Sequence, residues 1–238
     1  MLNPQRSFAA AQAHYPKYAT DQLRLAQQLA QAITKYCTHP IENIFEVGCG
    51  TGALSQALYQ HPFPYAARYY VNDLNPIIAF PVPAKQRLTS IGDIRCCPLP
   101  TPLQMITSSS ALQWLEQTLF SELSRFISHL SEKGYLAISL YIDKHYQELA
   151  QYGIGLKYHT TEKILHYLQQ AGTLLWFKEQ YHCEYFASPN AVLTHCRATG
   201  VNAFTASLGD IRHLLKSYPK TQQGYPLTHH SLSIIIQK

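Results

Sequence analysis

The sequence predicts an α/β domain on a mostly parallel sheet, and three observations carry that expectation. A short apolar run, Asn43 to Val47, leads directly into glycines on alternate positions, Gly48, Gly50 and Gly52. The segment YLAISLY, Tyr135 to Tyr141, has the continuous apolar character of a strand buried on both faces. Between such runs lie stretches whose apolar residues recur at four-residue steps, the spacing of an amphipathic helix. Parallel strands joined by crossovers bury this pattern most economically.

In order along the chain, a helix is expected from Asp21 to Tyr36, with Leu25, Leu29 and Ile33 inward and Thr20 or Asp21 as its cap. Pro40 ends the connection to the first strand, and residues from Ala53 to Tyr59 are again helix-compatible. Arg68 to Asp73, Leu88 to Ile91 and Met105 to Ser108 supply three further strands. The proline-rich stretches PFPYA and NPIIAFPVPAK leave little room for a long helix before the third strand. Glu116 to Leu130 is helical, Gly134 punctuates, and the strand Tyr135 to Tyr141 follows. Thr160 or Thr161 caps a helix ending at Ala171, and the extended LLWFKEQYHCEYF comes next. Two short helices, Pro189 to Thr199 and Leu208 to Tyr218, precede a closing strand at Ser231 to Ile236.

A chain of 238 residues suffices for one domain with a buried core, and 46% hydrophobic content against 14% charged excludes disorder. The sequence contains no apolar run long enough to span a membrane and no export leader, so a cytoplasmic protein with no membrane partner is expected. The six cysteines form no CxxC pair and no zinc-finger spacing; they are expected to be buried thiols, with no metal site. The net charge of +5 admits an acidic partner, but the basic residues are scattered, and nucleic acid is not an expected one.

Glycines after a strand and before a helix let backbone approach a ligand at the carboxyl end of the sheet, where open α/β folds bind ligands. Asp73, 21 residues beyond Gly52, sits where a carboxylate accepts from both hydroxyls of a ribose. Asp93, after the third strand, is placed to meet an adenine amino group, and Glu46 adds a further acid. Such acids repel a pyrophosphate and suit a sulfonium cation, so S-adenosylmethionine is the expected cofactor.

EVGCGTG at Glu46 to Gly52, Asp73 and GDI at Gly92 to Ile94 resemble the class I S-adenosylmethionine-dependent methyltransferases. The resemblance implies a three-layer, Rossmann-like fold: a seven-stranded, mostly parallel sheet, its last strand antiparallel and preceded here by a helical insertion. It implies cofactor contacts from Glu46, Gly48, Gly50, Gly52, Asp73, Asp93 and Ile94. Where that family usually starts its first motif with Asp this chain has Glu46, and Gln104 stands where an acid is usual before the fourth strand.

Four other stretches, Phe8 to Gln22, Ser108 to Leu115, Lys157 to Gly172 and Phe186 to Phe204, resemble the malonyl-acyl-carrier-protein O-methyltransferases of biotin synthesis. That resemblance implies methyl transfer to the free carboxylate of malonyl-acyl carrier protein, or of malonyl-coenzyme A, toward a pimeloyl precursor. A basic residue usual at Thr194 is absent. One domain is expected, comprising an N-terminal helical lid (1–38), a cofactor-binding core (39–182), a helical cap (183–225) and a closing strand (226–238). Tyr15, Tyr18 and Gln22 are expected in a lid over the cofactor mouth, where they help position the substrate, and Trp114 with Leu112 beside the transferred methyl. Because a carboxylate is already ionised near neutral pH, no general base is required. Arg197, Arg212, Lys216 or His159 are the candidates to orient it. A methyltransferase with another small-molecule acceptor, or a non-catalytic binding protein on the same scaffold, are the alternatives.

Overall fold

The computed structural model of the chain describes residues 18–60, 68–77, 87–199 and 208–238, excluding the side chains of 208 and 209. Tyr15 and both proline-rich stretches fall wholly or partly outside the described residues.

Helix α1, Thr20–Tyr36, turns Leu25, Ala26, Leu29, Ala30 and Ile33 fully inward. The anticipated side-chain cap does not form: Ala19 occupies the cap position, and Asp21 is drawn into the interior by partners from distant strands. This helix belongs to the core packing, so only residues before it remain for the lid expected over 1–38.

Strand β1 (Asn43–Val47) is followed by α2 (Ala53–Gln60), β2 (Arg68–Asp73), β3 (Arg87–Ile91) and β4 (Leu103–Ser109). A 3-10 segment, Leu112–Thr118, then leads into α3 (Leu119–His129). The helix expected from Glu116 starts later because Glu116 takes φ 42°, a left-handed turn that breaks the helical path. After β5 (Leu130–Tyr141) come α4 (Gln147–Ala150), α5 (Thr161–Ala171) and β6 (Thr173–Phe186). Thr160 caps α5 by accepting from the Lys163 amide at 3.4 Å. Helices α6 (Pro189–Ala198) and α7 (Leu208–Ser217) precede β7 (Tyr225–Gln237).

The seven strands lie in the order β3-β2-β1-β4-β5-β7-β6. Those from β3 through β5 are parallel, and β7 runs antiparallel to both neighbours. Alternation along the strands divides the core in two. Phe45, Ile106, Leu136 and Ile138 pack with Leu123 and Phe126 of α3 and Ile164 and Leu168 of α5. Ile44, Met105, Tyr135 and Ala137 pack with Leu29 and Ile33 of α1 and Leu54 and Leu58 of α2. The result is a three-layer α/β sandwich, with the sheet order reversing direction at β1.

The closing strand is longer than its apolar pattern suggests. β7 begins at Tyr225 and not at Ser231, because Thr228, His229 and His230 are buried although polar. Residues of α4, α6 and α7 make a third hydrophobic cluster with Leu227, which covers that end of the sheet. The thiols are all free, and Cys96 is exposed, contrary to the expectation that all six would be buried.

Candidate active site

The chain leaves β1 through backbone that only glycine adopts comfortably. Gly48 has φ +64°, and a β-carbon there would stand 2.3 Å from the Ala111 Cβ. Gly50 has φ +53°, and a β-carbon there would meet only open space. Gly52 closes the turn, its amide donating to the Cys49 carbonyl at 2.8 Å and its carbonyl accepting from Gln56 in the first turn of α2.

This turn borders a cavity of about 220 Å3 at the carboxyl ends of β1, β2, β3 and β4. Gln22, Glu46, Gly48, Gly50, Asp73, Asp93, Ile94, Leu112 and Trp114 all line it. Gly52 does not; it shapes the loop from behind. Tyr18 is also outside the lining, its ring edge-on to His195 with centroids 6.4 Å apart. His159 points elsewhere: its Nε2 lies 2.8 Å from the Glu116 carbonyl, and its ring packs on Phe120. That carbonyl also accepts from the Leu119 amide where the 3-10 segment passes into α3. Arg197, Arg212 and Lys216 are exposed on α6 and α7 and do not line the cavity.

The acids are held in three different ways. Asp73 accepts from the Gly50 amide at 2.8 Å and the Asn75 amide at 2.9 Å, yet burial outweighs both and raises its pKa. Glu46 is fully buried beneath the loop, where Ser55 and Tyr69 hydroxyls donate to one carboxylate oxygen, the latter at 2.7 Å. Burial pushes its carboxyl up to about 7 despite those bonds, and Asp73 adds to the rise. Glu46 is therefore not the permanent charge expected from its sequence position, but an acid poised to ionise when a cation arrives. Asp93 caps the short 3-10 turn Ile94–Cys96 and pairs with Arg95, whose hydrogen bonds lower its pKa.

Sequence reasoning missed three lining groups. Arg95 adds a positive charge beside Asp93. Ser109 and Ser110 line the cavity with buried hydroxyls that have no hydrogen-bond partner among the described residues. They end and follow β4 in an unremarkable serine run, and only the positive φ of Ser110 and the packing of Ala111 aim the backbone toward the glycine loop. Gln104, in place of the usual acid, accepts from the Asn43 amide at 2.9 Å and ties β4 to β1 outside the cavity.

The residues fit a cationic nucleoside. Open space at Gly50 admits a ligand against backbone, Asp73 offers a carboxylate beside it, and Glu46 supplies a second acid underneath. The sheet order with reversed β7, and the acid-rimmed glycine turn, define a class I S-adenosylmethionine-dependent methyltransferase. The same sheet architecture occurs in a S-adenosylmethionine-dependent methyltransferase from Archaeoglobus fulgidus, with TM-score 0.54 and 17% identity over 93% of this chain and 96% of that one. No protein-family profile matches the chain. It is 32% identical over 243 residues to the malonyl-[acyl-carrier protein] O-methyltransferase of Acinetobacter baylyi, covering 97% of this chain and 94% of that protein, and it belongs to that family. The enzyme of the same name from Calditerrivibrio nitroreducens is 29% identical over the whole chain and 97% of its own length. Among the described residues no helix is long and apolar enough to cross a membrane.

Proposed function

We propose that the chain transfers the methyl group of S-adenosylmethionine to the free carboxylate of malonyl-acyl carrier protein, forming a methyl ester on the way to a pimeloyl precursor of biotin. The observation that carries this reading is the extent of the likeness to the Acinetobacter baylyi protein, which spans 97% of the chain and therefore reaches the helical insertion as well as the cofactor half.

The cavity chemistry supports the same reading. When bound, S-adenosylmethionine supplies an electrophilic methyl group. Asp73 would hold its ribose, Asp93 and Ile94 its base, and Glu46 its cationic end, with Gly48 and Gly50 giving the backbone room to approach. Gln22, Leu112 and Trp114 would wall the reacting centre and exclude water, which strengthens every electrostatic contact inside. An ionised acceptor oxygen needs positioning and not deprotonation, so the absence of an assigned base is consistent with the chemistry. The unpartnered hydroxyls of Ser109 and Ser110 are donors suited to that positioning. Residues before α1, with Tyr15 and Tyr18, would close the mouth as a lid. Arg197, Arg212 and Lys216 would form a basic rim for an acidic carrier.

The test is mass spectrometry of malonyl-acyl carrier protein incubated with S-adenosylmethionine and the chain. One added methyl on the acyl group is expected, and none on acetyl-acyl carrier protein, which has no free carboxylate. Methylation of free malonic acid as fast as of the carrier-bound form would remove the carrier from the proposal.

A further inference from the structure

A second constellation of titratable groups lies outside the cavity. It is assembled from Asp21 on α1, His182 and Glu184 on β6, His195 on α6 and His229 on β7. His229 is 1% exposed, and among the described residues neither of its ring nitrogens has a hydrogen-bond partner of good geometry. Its Nδ1 stands 3.4 Å from Asp21 Oδ2, and its Nε2 3.4 Å from Glu184 Oε2. His195, also buried, brings Nε2 to 4.0 Å from the same Glu184 oxygen. His182 stacks on His229 with ring centroids 4.8 Å apart and reaches Asp21 Oδ1 at 3.5 Å.

Two carboxylates that face one buried imidazole from opposite nitrogens call for positive charge between them, and on the Nε2 side a metal ion can supply it. An anion would meet Asp21 and Glu184 together, against the single guanidinium of Arg24. Two triads share His229, and they are not equivalent. In one, Asp21 is already engaged: Arg24 donates to Oδ1 at 3.1 and 2.7 Å, and the Tyr141 hydroxyl donates to Oδ2 at 2.8 Å. In the other, the Glu184 carboxylate faces the two imidazoles and is partly exposed, which leaves a path for an ion.

We propose that Glu184, His195 and His229 form a divalent-metal site of the zinc class, with Asp21 behind it fixing His229 through Nδ1. Zinc holds imidazole nitrogen and carboxylate oxygen at about 2.0–2.2 Å, which puts tetrahedral neighbours about 3.3 Å apart. The observed 3.4 and 4.0 Å require a small contraction, and all three ligand atoms already lie within 4.8 Å of one another. Three protein ligands leave one position for water or a substrate oxygen. A carboxylate behind a ligating histidine sets its tautomer and orientation, and Asp21 Oδ2, 3.4 Å from His229 Nδ1, stands where it would do so once the ring settles on the ion. The ion fastens α6, the first helix of the cap, to strands β6 and β7. Positions 184, 195 and 229 follow no metal-binding spacing, which is why no metal was expected from sequence.

The full chain, stripped with a chelator and titrated with zinc chloride alone by calorimetry, tests this. One ion per chain and a higher unfolding temperature with zinc are expected. Glu184→Gln and His195→Ala should each weaken binding at least about 10-fold and Asp21→Asn about 10-fold, while His182→Ala changes it less than about 3-fold. Should His195→Ala fail to fold, Glu184→Gln decides, since its side chain is partly exposed and its circular dichroism checks the fold. No zinc uptake by the wild type, equal affinity in Glu184→Gln, or loss in His182→Ala alone would each overturn the assignment. None of these readouts involves methyl transfer.

Discussion

The two ends of the sheet's carboxyl edge hold their charge in opposite ways. At β1 and β2, carboxylates are held by groups close by: Gly50 and Asn75 amides for Asp73, Ser55 and Tyr69 hydroxyls for Glu46. At β7 and β6, carboxylates face imidazoles and an arginine brought from far along the chain. Burial pushes the Asp21 carboxyl up, but His229 and Arg24 together hold it below the usual carboxylate range. The first edge thus carries Glu46 and Asp73 with carboxyls raised by burial, which a cation would offset. The second carries Asp21 and Glu184 with carboxyls lowered by imidazole and guanidinium neighbours. A buried acid with neutral donors is a receptor for positive charge; the same acid beside Arg or His is a structural tie.

The largest expected effect breaks the backbone of the first edge. Gly48→Ala puts a β-carbon into Ala111 on a left-handed backbone, and should cost about 3 kcal/mol or more of stability in urea unfolding. A loss under about 1 kcal/mol would mean the loop relaxes freely and does not shape the cavity.

Glu46 comes next. With its carboxyl raised from 4.5 to about 7, the folded protein binds more protons than the unfolded chain between those values, so stability falls as pH rises through that window. In ligand-free protein, the wild type should lose about 2–3 kcal/mol more than Glu46→Gln between pH 5 and pH 8. Cofactor affinity should rise over the same interval in the wild type and stay flat in the variant. Parallel pH profiles would show that Glu46 does not titrate there, and the contrast between the two edges would fail.

Asp73→Asn keeps the shape and removes the charge. Affinity for S-adenosylhomocysteine should drop about 10- to 50-fold by calorimetry, because ribose hydroxyls lose a charged acceptor. Unchanged affinity would place the ribose away from β2.

The smallest effect is expected on the cap. Arg197→Ala combined with Arg212→Ala should slow capture of malonyl-acyl carrier protein about 2- to 5-fold at low salt, with the difference fading as salt rises. An equal slowing with malonyl-coenzyme A at high salt would argue against a rim that steers an acidic protein.

Much of the first edge was legible in sequence because it is local. Gly48 and Gly50 announce themselves by spacing, and Asp73 ends β2 while Asp93 lies two residues past the end of β3, so the register of parallel neighbours brings them to one place. Their electrostatics were less legible. That Glu46 is buried with its carboxyl pushed up depends on the packing around it, which the Tyr69 hydroxyl reaching across the β1–β2 pair only partly offsets, and that Asp93 is held low depends on the turn that folds Arg95 back. His159 lies away from the cavity for a similar reason: its partner is the Glu116 carbonyl, at a kink that no local pattern announced.

The sequence by itself determined the alternation of helices and strands, the glycine turn and the acids beside it, because hydrophobic period and backbone freedom are properties of short stretches. Tertiary structure alone decided that β7 runs back through Thr228, His229 and His230, and that Asp21 turns inward to meet Tyr141 and His229. Polar residues carry no periodic signal of burial. Whether they are surface or interior is set by the partners that packing delivers, and those partners lie as far apart in the chain as residues 21 and 229.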